Sequence, residues 1–595
     1  MTDAWGIADG FHDIEGTWHP TPDHARIALR EAMGAADAHD PYETPPGGMP
    51  MWFVPVGRQE QLLGPCDVVL EDGTHIGTVT QLPPDLPIGY HELAPADGGP
   101  WTRLVVHPEQ CPAAPRAWGV ACQTYSLWSD QSWGIGDLRD VATLAKRVSA
   151  AGGGAMLLSP LHAPHPAVPQ DPSPYYASSR RYRNPLLIPL DGTSPVPNDG
   201  PLVDRDAAWT AKRGALEARF EADRWEPAWR AWAREQGEAL WRFASWCAVA
   251  DDHGPLWRAW PEQFRHPSSS AITDRAHDDP AIAARIEFHA WLQWRIDQAL
   301  AEAADAGAAL IGDLAVGFAT HGADAWEFQD QLALDVVIGA PPDPFSAHGQ
   351  DWGLPGFVPW KLRADGYRAI VETARLAFRH LAGMRIDHVM GLYRQFWIPP
   401  GGEPADGAYV HFPGDELLAI IAIEATRAGA FIIGEDLGTV QPSVREAMAR
   451  AGVLGTKVLW FEPLGPESWP EARVATITTH DLPTIAGVWS GVDGDTEMRE
   501  RLEALTGLGP DRPAVQVAAA AHRHLLDSPA RLRLVTAEDL SGTPDRPNEP
   551  SQPLRENWCR RLPVPVERLL LPHAATRALA EEAPVPEVGL EPTRP

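Results

Sequence analysis

Eight short apolar runs, separated for the most part by stretches of helical periodicity, constrain this chain more than any other feature. They are GVACQTYSL (119–127), GAMLLSPL (154–161), AALIGDLA (308–315), GMRIDHV (383–389), AFIIGEDL (430–437), GTKVLWFE (455–462), ARVATITTHD (472–481) and RLRLVTAEDL (531–540). Helical stretches such as LRDVATLAKRVSAAG, DGYRAIVETARLAFRHLAG, DELLAIIAIEATRAG and VREAMARAG lie between them. Strands covered on both faces read as continuous apolar runs, and strand–helix alternation predicts a parallel sheet with helices outside. Eight such units predict an α/β fold, a (β/α)8 TIM barrel.

The interval between the second and third runs, about 165–305, is too long for one crossover and predicts an inserted helical subdomain. Many of the 25 tryptophans fall there at helix-like spacing and read as core. Trp133 and Trp352, in Gly-rich loops, read as flat stacking surfaces. Ahead of the barrel, PDHARIALREAMGAA has a helical pattern. MWFVPV, CDVVLEDGTHIGTVTQL, GYHELAP and TRLVVHP then read as short strands, with a hairpin signal at 71–74. The expected organisation is an N-terminal module at 1–115, short helices followed by a small β-sandwich-like part. A catalytic barrel follows at 116–575 and a tail at 576–595. The stretch GAPPDPFSAHGQDWGLPGFVPW (339–360) has the composition of a cleft-covering loop.

A formal net charge of −31 argues against nucleic acid and anionic membrane surfaces as partners. No apolar run approaches the roughly 20 residues a membrane helix needs, and no signal-peptide pattern opens the chain. Five scattered cysteines without metal-ligand spacing read as free thiols in a reducing cytosol.

Charge inside an apolar run demands a reason, since a buried carboxylate is costly unless paired. In GMRIDHVMGL, Arg385 and Asp387 stand two apart and share one face of a strand. A structural ion pair is one explanation. However, Asp313 ends the third run, Asp387 the fourth, Glu435 the fifth and His480–Asp481 the seventh, and the C-terminal strand ends of such a barrel form its active-site face. Carboxylates delivered by four strands suit glycosyl transfer, with one as nucleophile and another as acid/base. They also suit a divalent metal site, although no HxH or HExxH spacing is present.

The ordered segments QTYSLWSDQSWGIGDLRD, SPYYASSRRYRNPLLI, GDLAVGFATHGADAW, GAPPDPFSAHGQDWGLP, MRIDHVMGL, GEDLGTV, TKVLWFE, TTHDLPTIAG and the late NW, spanning about 120–560, carry a resemblance. The chain resembles the 4-α-glucanotransferases (amylomaltases or disproportionating enzymes, glycoside hydrolase family 77), in particular their bacterial maltodextrin-utilising branch. The resemblance implies that Asp387 is the nucleophile, Glu435 the acid/base and Asp481 the group that stabilises the transition state. It implies substrate-binding roles for Ser173, Tyr175, Asp313, Gln350, Trp352, Arg385, His388, His480 and Asn557, with no metal and no cofactor. The implied reaction is disproportionation: glucosyl or maltooligosyl units move between maltooligosaccharides and other α-1,4-glucans through a covalent glucosyl-enzyme. A retaining α-glucan hydrolase on the same site is the alternative, followed by a non-catalytic glucan-binding protein.

Overall fold

The computed structural model describes residues 2–13, 15–34, 49–198, 200–342, 346, 348–550 and 556–572. The expected 576–595 tail lies outside the described residues.

Eight parallel strands form the barrel: β1 (Ala117–Cys122), β2 (Ala155–Leu158), β3 (Ala309–Leu314), β4 (Gly383–Ile386), β5 (Phe431–Gly434), β6 (Gly455–Val458), β7 (Arg473–Thr476) and β8 (Leu532–Thr536). They are hydrogen-bonded in the order β5-β4-β3-β2-β1-β8-β7-β6. The last seam closes through a parallel bridge from Ile433 to Leu454, where Leu454 N donates to Ile432 O (3.0 Å) and Gly434 N to Leu454 O (2.8 Å). Ala155, Ile311, Phe431, Ile433, Leu454, Val474, Leu532 and Leu534 fill the interior as a single apolar cluster. Burial of these side chains, each removing apolar area from water at about 25 cal/mol per Å², is what holds the ring together.

Each strand is shorter than its apolar run. The 383–389 run leaves the sheet after Ile386, the 430–437 run after Gly434 and the 472–481 run after Thr476. The polar residues that end each run therefore stand at the barrel mouth.

Between β2 and β3 come a short antiparallel pair (His162–Ala163 with Ser179–Arg183) and the helices Arg205–Asp223, Pro227–His253 and Pro280–Ala304. Trp229, Trp246 and Trp291 are fully buried in this insertion. Two helical segments meet at Gly237, whose φ of 69° a residue with a Cβ rarely adopts. Trp133 packs in the main core at 9% exposure, so the stacking role expected for it is lost. Its loop folds inward against the insertion.

Residues 339–340 and 350–357 of the 339–360 stretch are strand, and residues 343–345 and 347 between them lie outside the described residues. Strands Leu332–Ala340 and Gln350–Phe357 pair antiparallel and continue into Arg394–Ile398 and Ala408–His411, giving a four-stranded sheet beside the barrel. The glycine content that suggested a loop has a strand purpose: a Cβ on Gly339 would lie 2.0 Å from Gln350 O. In the N-terminal module, 51–55, 102–107, 89–95, 61–69 and 75–81 form one five-stranded mixed sheet in that order, so the sandwich-like part takes the form of a single sheet. It is tied to one outer helix of the barrel, Gly414–Ala428, by Arg427 to Glu71 (2.5 Å) and by the Tyr90 hydroxyl to Glu424 (3.0 Å).

Candidate active site

The charged pair in GMRIDHVMGL is explained by its neighbours in the barrel. Asp313 on β3 stands opposite Arg385 on β4 in the parallel register. Arg385 Nη1 donates to both Asp313 oxygens at 2.7 Å, while Nη2 reaches Asp387 Oδ1 at 2.9 Å. One guanidinium thus clamps two carboxylates, a geometry its planar fork suits and a lysine cannot reproduce. The Tyr175 hydroxyl, from the insertion, donates to Asp313 Oδ2 at 2.7 Å.

Just past β4 the backbone turns sharply. His388 takes φ 45°, a left-handed conformation uncommon for a residue with a side chain. That turn aims its N–H at Glu435 Oε2 (2.9 Å), while Leu437 N donates to Oε1 (2.7 Å). Two backbone donors therefore fix the Glu435 carboxyl next to the Asp387 segment. Burial pushes that carboxyl up to about 7, with the Asp387 charge adding to the rise and Arg385 and the two N–H groups opposing it. Near neutral pH, Glu435 divides between its acid and base forms, as proton delivery followed by proton removal requires.

Asp481 and His480 follow β7 by several residues. Burial pushes the Asp481 carboxyl up, but His480 and Asn548 outweigh it and hold it below the ordinary value. His480 Nε2 lies 3.2 Å from Asp481 Oδ2, and Asn548 Nδ2 donates to Oδ1 at 2.7 Å. The His480 imidazole is raised overall, because the Asp481 charge outweighs a burial effect of opposite sign. Its ring sits 5.1 Å from Tyr175 and 5.2 Å from Trp558. Trp558 also has a left-handed backbone (φ 61°), and such strain persists only where surrounding structure over-determines it.

The structure thus brings Tyr175, Asp313, Arg385, Asp387, His388, Glu435, His480 and Asp481 together at one end of the barrel. Trp352 approaches on the hairpin, edge-on to His388 at 5.4 Å. Three expected substrate-binding residues, Ser173, Gln350 and Asn557, have local hydrogen-bond partners. Ser173 Oγ accepts from Tyr175 N (3.3 Å) and so shapes the loop carrying that ring. Gln350 Oε1 accepts from Trp352 Nε1 (3.0 Å) and orients the indole. Asn557 exchanges hydrogen bonds with the Glu549 backbone at 3.1 and 3.2 Å. The asparagine that meets Asp481 is Asn548, which the sequence reading missed; its only sequence cue is a Pro-rich turn shortly before NW. Among the described residues no group of three or more His, Cys, Asp or Glu side chains is arranged to hold a metal ion.

Residues 122–566 match the model of glycoside hydrolase family 77, described as 4-alpha-glucanotransferase. The chain belongs to this family. It is 39% identical over 559 residues to the 4-alpha-glucanotransferase of Mycobacterium tuberculosis, covering 80% of this chain and 76% of that one. The Thermus thermophilus 4-alpha-glucanotransferase is 31% identical, with 78% of this chain and 98% of that one covered. Among solved structures, amylomaltase from Corynebacterium glutamicum superimposes with a TM-score of 0.81 at 28% identity, covering 97% of this chain and 98% of that one. Like its family, this chain is an enzyme of glucosyl transfer between maltodextrins. No helix among the described residues is long and apolar enough to cross a membrane.

Proposed function

We propose that this enzyme disproportionates maltooligosaccharides and other α-1,4-glucans in the cytoplasm by a retaining, two-step mechanism on Asp387 and Glu435. The supporting observation is the asymmetry between these carboxyls. Asp387 is paired with a guanidinium, whereas Glu435 is held by backbone donors with its carboxyl raised. A carboxylate paired with a guanidinium is placed to attack as nucleophile, and a carboxyl raised by burial is placed to deliver a proton.

In the first step an Asp387 oxygen forms a bond to the anomeric carbon as the bond from that carbon to the glycosidic oxygen breaks. Glu435 gives its proton to the departing 4-oxygen, and the non-reducing part of the donor remains as an ester on Asp387. In the second step Glu435 takes the proton from an acceptor's 4-hydroxyl, whose oxygen displaces Asp387. Two inversions leave an α-linkage. Asp481, held by Asn548 and His480, faces the positive charge that develops on the sugar ring. The expected divisions at 1–115, 116–575 and the 165–305 insertion fit this reading: the chemistry lies in the barrel, and Tyr175 is supplied by the insertion.

Transfer must outcompete water, present at about 55 M, through acceptor binding and a site closed to solvent. The hairpin bearing Trp352 is the element placed for this. Maltotriose is expected to give glucose and a ladder of longer maltodextrins with a nearly constant number of reducing ends. Trp352→Ala is expected to lower transfer about tenfold more than hydrolysis, given what one well-placed aromatic contributes to binding. Reducing-end assays alongside product separation check both. Reducing ends that climb in step with maltotriose consumption in the unmutated enzyme would establish the hydrolase alternative.

A further inference from the structure

The AEDL segment that follows β8 carries two adjacent acids with different employment. Asp539 caps a helix by accepting from Ile485 N at 2.8 Å. Glu538 has no such duty. It is 6% exposed, and its Oε1 is among the buried side-chain oxygens with no hydrogen-bond partner in the described structure. A buried polar atom left unmatched is costly and calls for an explanation. Glu538 lines the same cavity at the barrel mouth as Tyr175, Asp313, Arg385 and His480. Gln123, just past β1, lines it too, with Oε1 equally unpartnered.

We propose that Glu538 is a positioning residue for the donor sugar, acting through His480: in its proton-bearing form it leaves the imidazole paired with Asp481, and on ionising it competes for that imidazole. This rests on the reading of His480 as a sugar-binding group. The groups facing Glu538 are Asp539 on its own helix, Cys122 and Tyr125 from the end of β1, His480 from the loop after β7, and, across a second cavity that it also lines, Asp545, Arg560 and Arg561. Those facing His480 are Asp481, Arg385 and Asp313, besides Glu538. Burial pushes the Glu538 carboxyl up to about 7, with a hydrogen bond from its own backbone opposing the rise, Asp539 adding to it and His480 opposing it. The switch between the two forms thus falls near neutral pH. Ionisation sets a second carboxylate against Asp481 for one imidazolium, and the ring that Tyr175 and Trp558 flank loses its single orientation.

The test is the pH dependence of KM and kcat for maltotriose, from about pH 6 to about pH 8.5, in the full chain and in Glu538→Gln. The amide keeps a donor and an acceptor but cannot ionise. In the unmutated enzyme KM is expected to climb about threefold or more as pH rises through about 7, while in Glu538→Gln it stays flat near the low-pH value. The alkaline fall of kcat set by Glu435 is expected in both. A purely structural glutamate would change unfolding temperature without flattening the KM profile. Equal climbs in the two proteins would overturn the proposal. So would a flat KM in the unmutated enzyme, a measurement that stands even if the variant does not fold. Neither outcome touches the assignment of Asp387, which the labelling experiment in the Discussion decides separately.

Discussion

Asp387→Asn is expected to lower kcat on maltodextrins by on the order of 10⁴-fold, while maltodextrin affinity changes by less than about tenfold. The reason lies in what each atom does. The substitution removes the nucleophilic charge but little volume, and the asparagine carbonyl oxygen can still accept from Arg385 Nη2, 2.9 Å from Asp387 Oδ1. Arg385 also retains its bidentate pair with Asp313, so the guanidinium is not left uncompensated. The backbone turn at His388 is set by its bond to Glu435 rather than by the Asp387 side chain. Ground-state contacts therefore survive and the covalent step does not. Steady-state rates together with calorimetric binding of a maltodextrin check the split. A variant that keeps more than a few per cent of the unmutated rate would remove Asp387 from the nucleophile role.

Glu435→Gln is expected to cost about 10²–10⁴-fold on maltodextrins, the range general acid–base catalysis contributes. The loss should depend on the leaving group. A donor such as an α-glucosyl fluoride departs without a proton, so its first step is expected to recover while the second, lacking a base, stays slow. The same residue sets a pH dependence. Its carboxyl is pushed up to about 7, so the acid form needed for the first step is lost as pH rises through that value, and kcat/KM of the unmutated enzyme falls on the alkaline side. The sign for stability follows from linkage. A carboxyl whose folded pKa is raised favours the folded state when protonated, and that contribution is lost between the unfolded value near 4.5 and about 7. The unfolding temperature of Glu435→Gln relative to the unmutated enzyme is therefore expected to rise as pH goes from about 4.5 to about 7, above a constant offset for the one backbone N–H, from His388 or Leu437, whose hydrogen bond the amide nitrogen cannot accept.

The barrel and its rim were legible because both follow from local pattern. Each apolar run supplies a strand, and the polar residue ending it is carried to the active-site face, which is how Asp313, Asp387 and Glu435 come to share one end of the barrel. Residues that reach the site on irregular backbone were harder to read. Asn557 and Asn548 lie nine positions apart in a Pro-rich segment with no periodicity, and only the folded path shows that Asn548 meets Asp481 while Asn557 braces Glu549. The strand residues of the 339–360 stretch were hidden for a related reason: glycine marks both loops and close strand approach, and at Gly339 it is the second. Glu538 was hidden beside Asp539, because two adjacent acids at a strand end look alike until one is found capping a helix and the other facing a cavity.

The role of Asp387 as the covalent centre of transfer is tested most directly by trapping. Glu435→Gln, mixed with an activated α-glucosyl donor, quenched and digested, is expected to yield one peptide carrying a glucosyl mass, with the sugar esterified to Asp387. A label on Asp481, Asp313 or any other residue, or rapid turnover of the activated donor with no labelled peptide, would contradict the account.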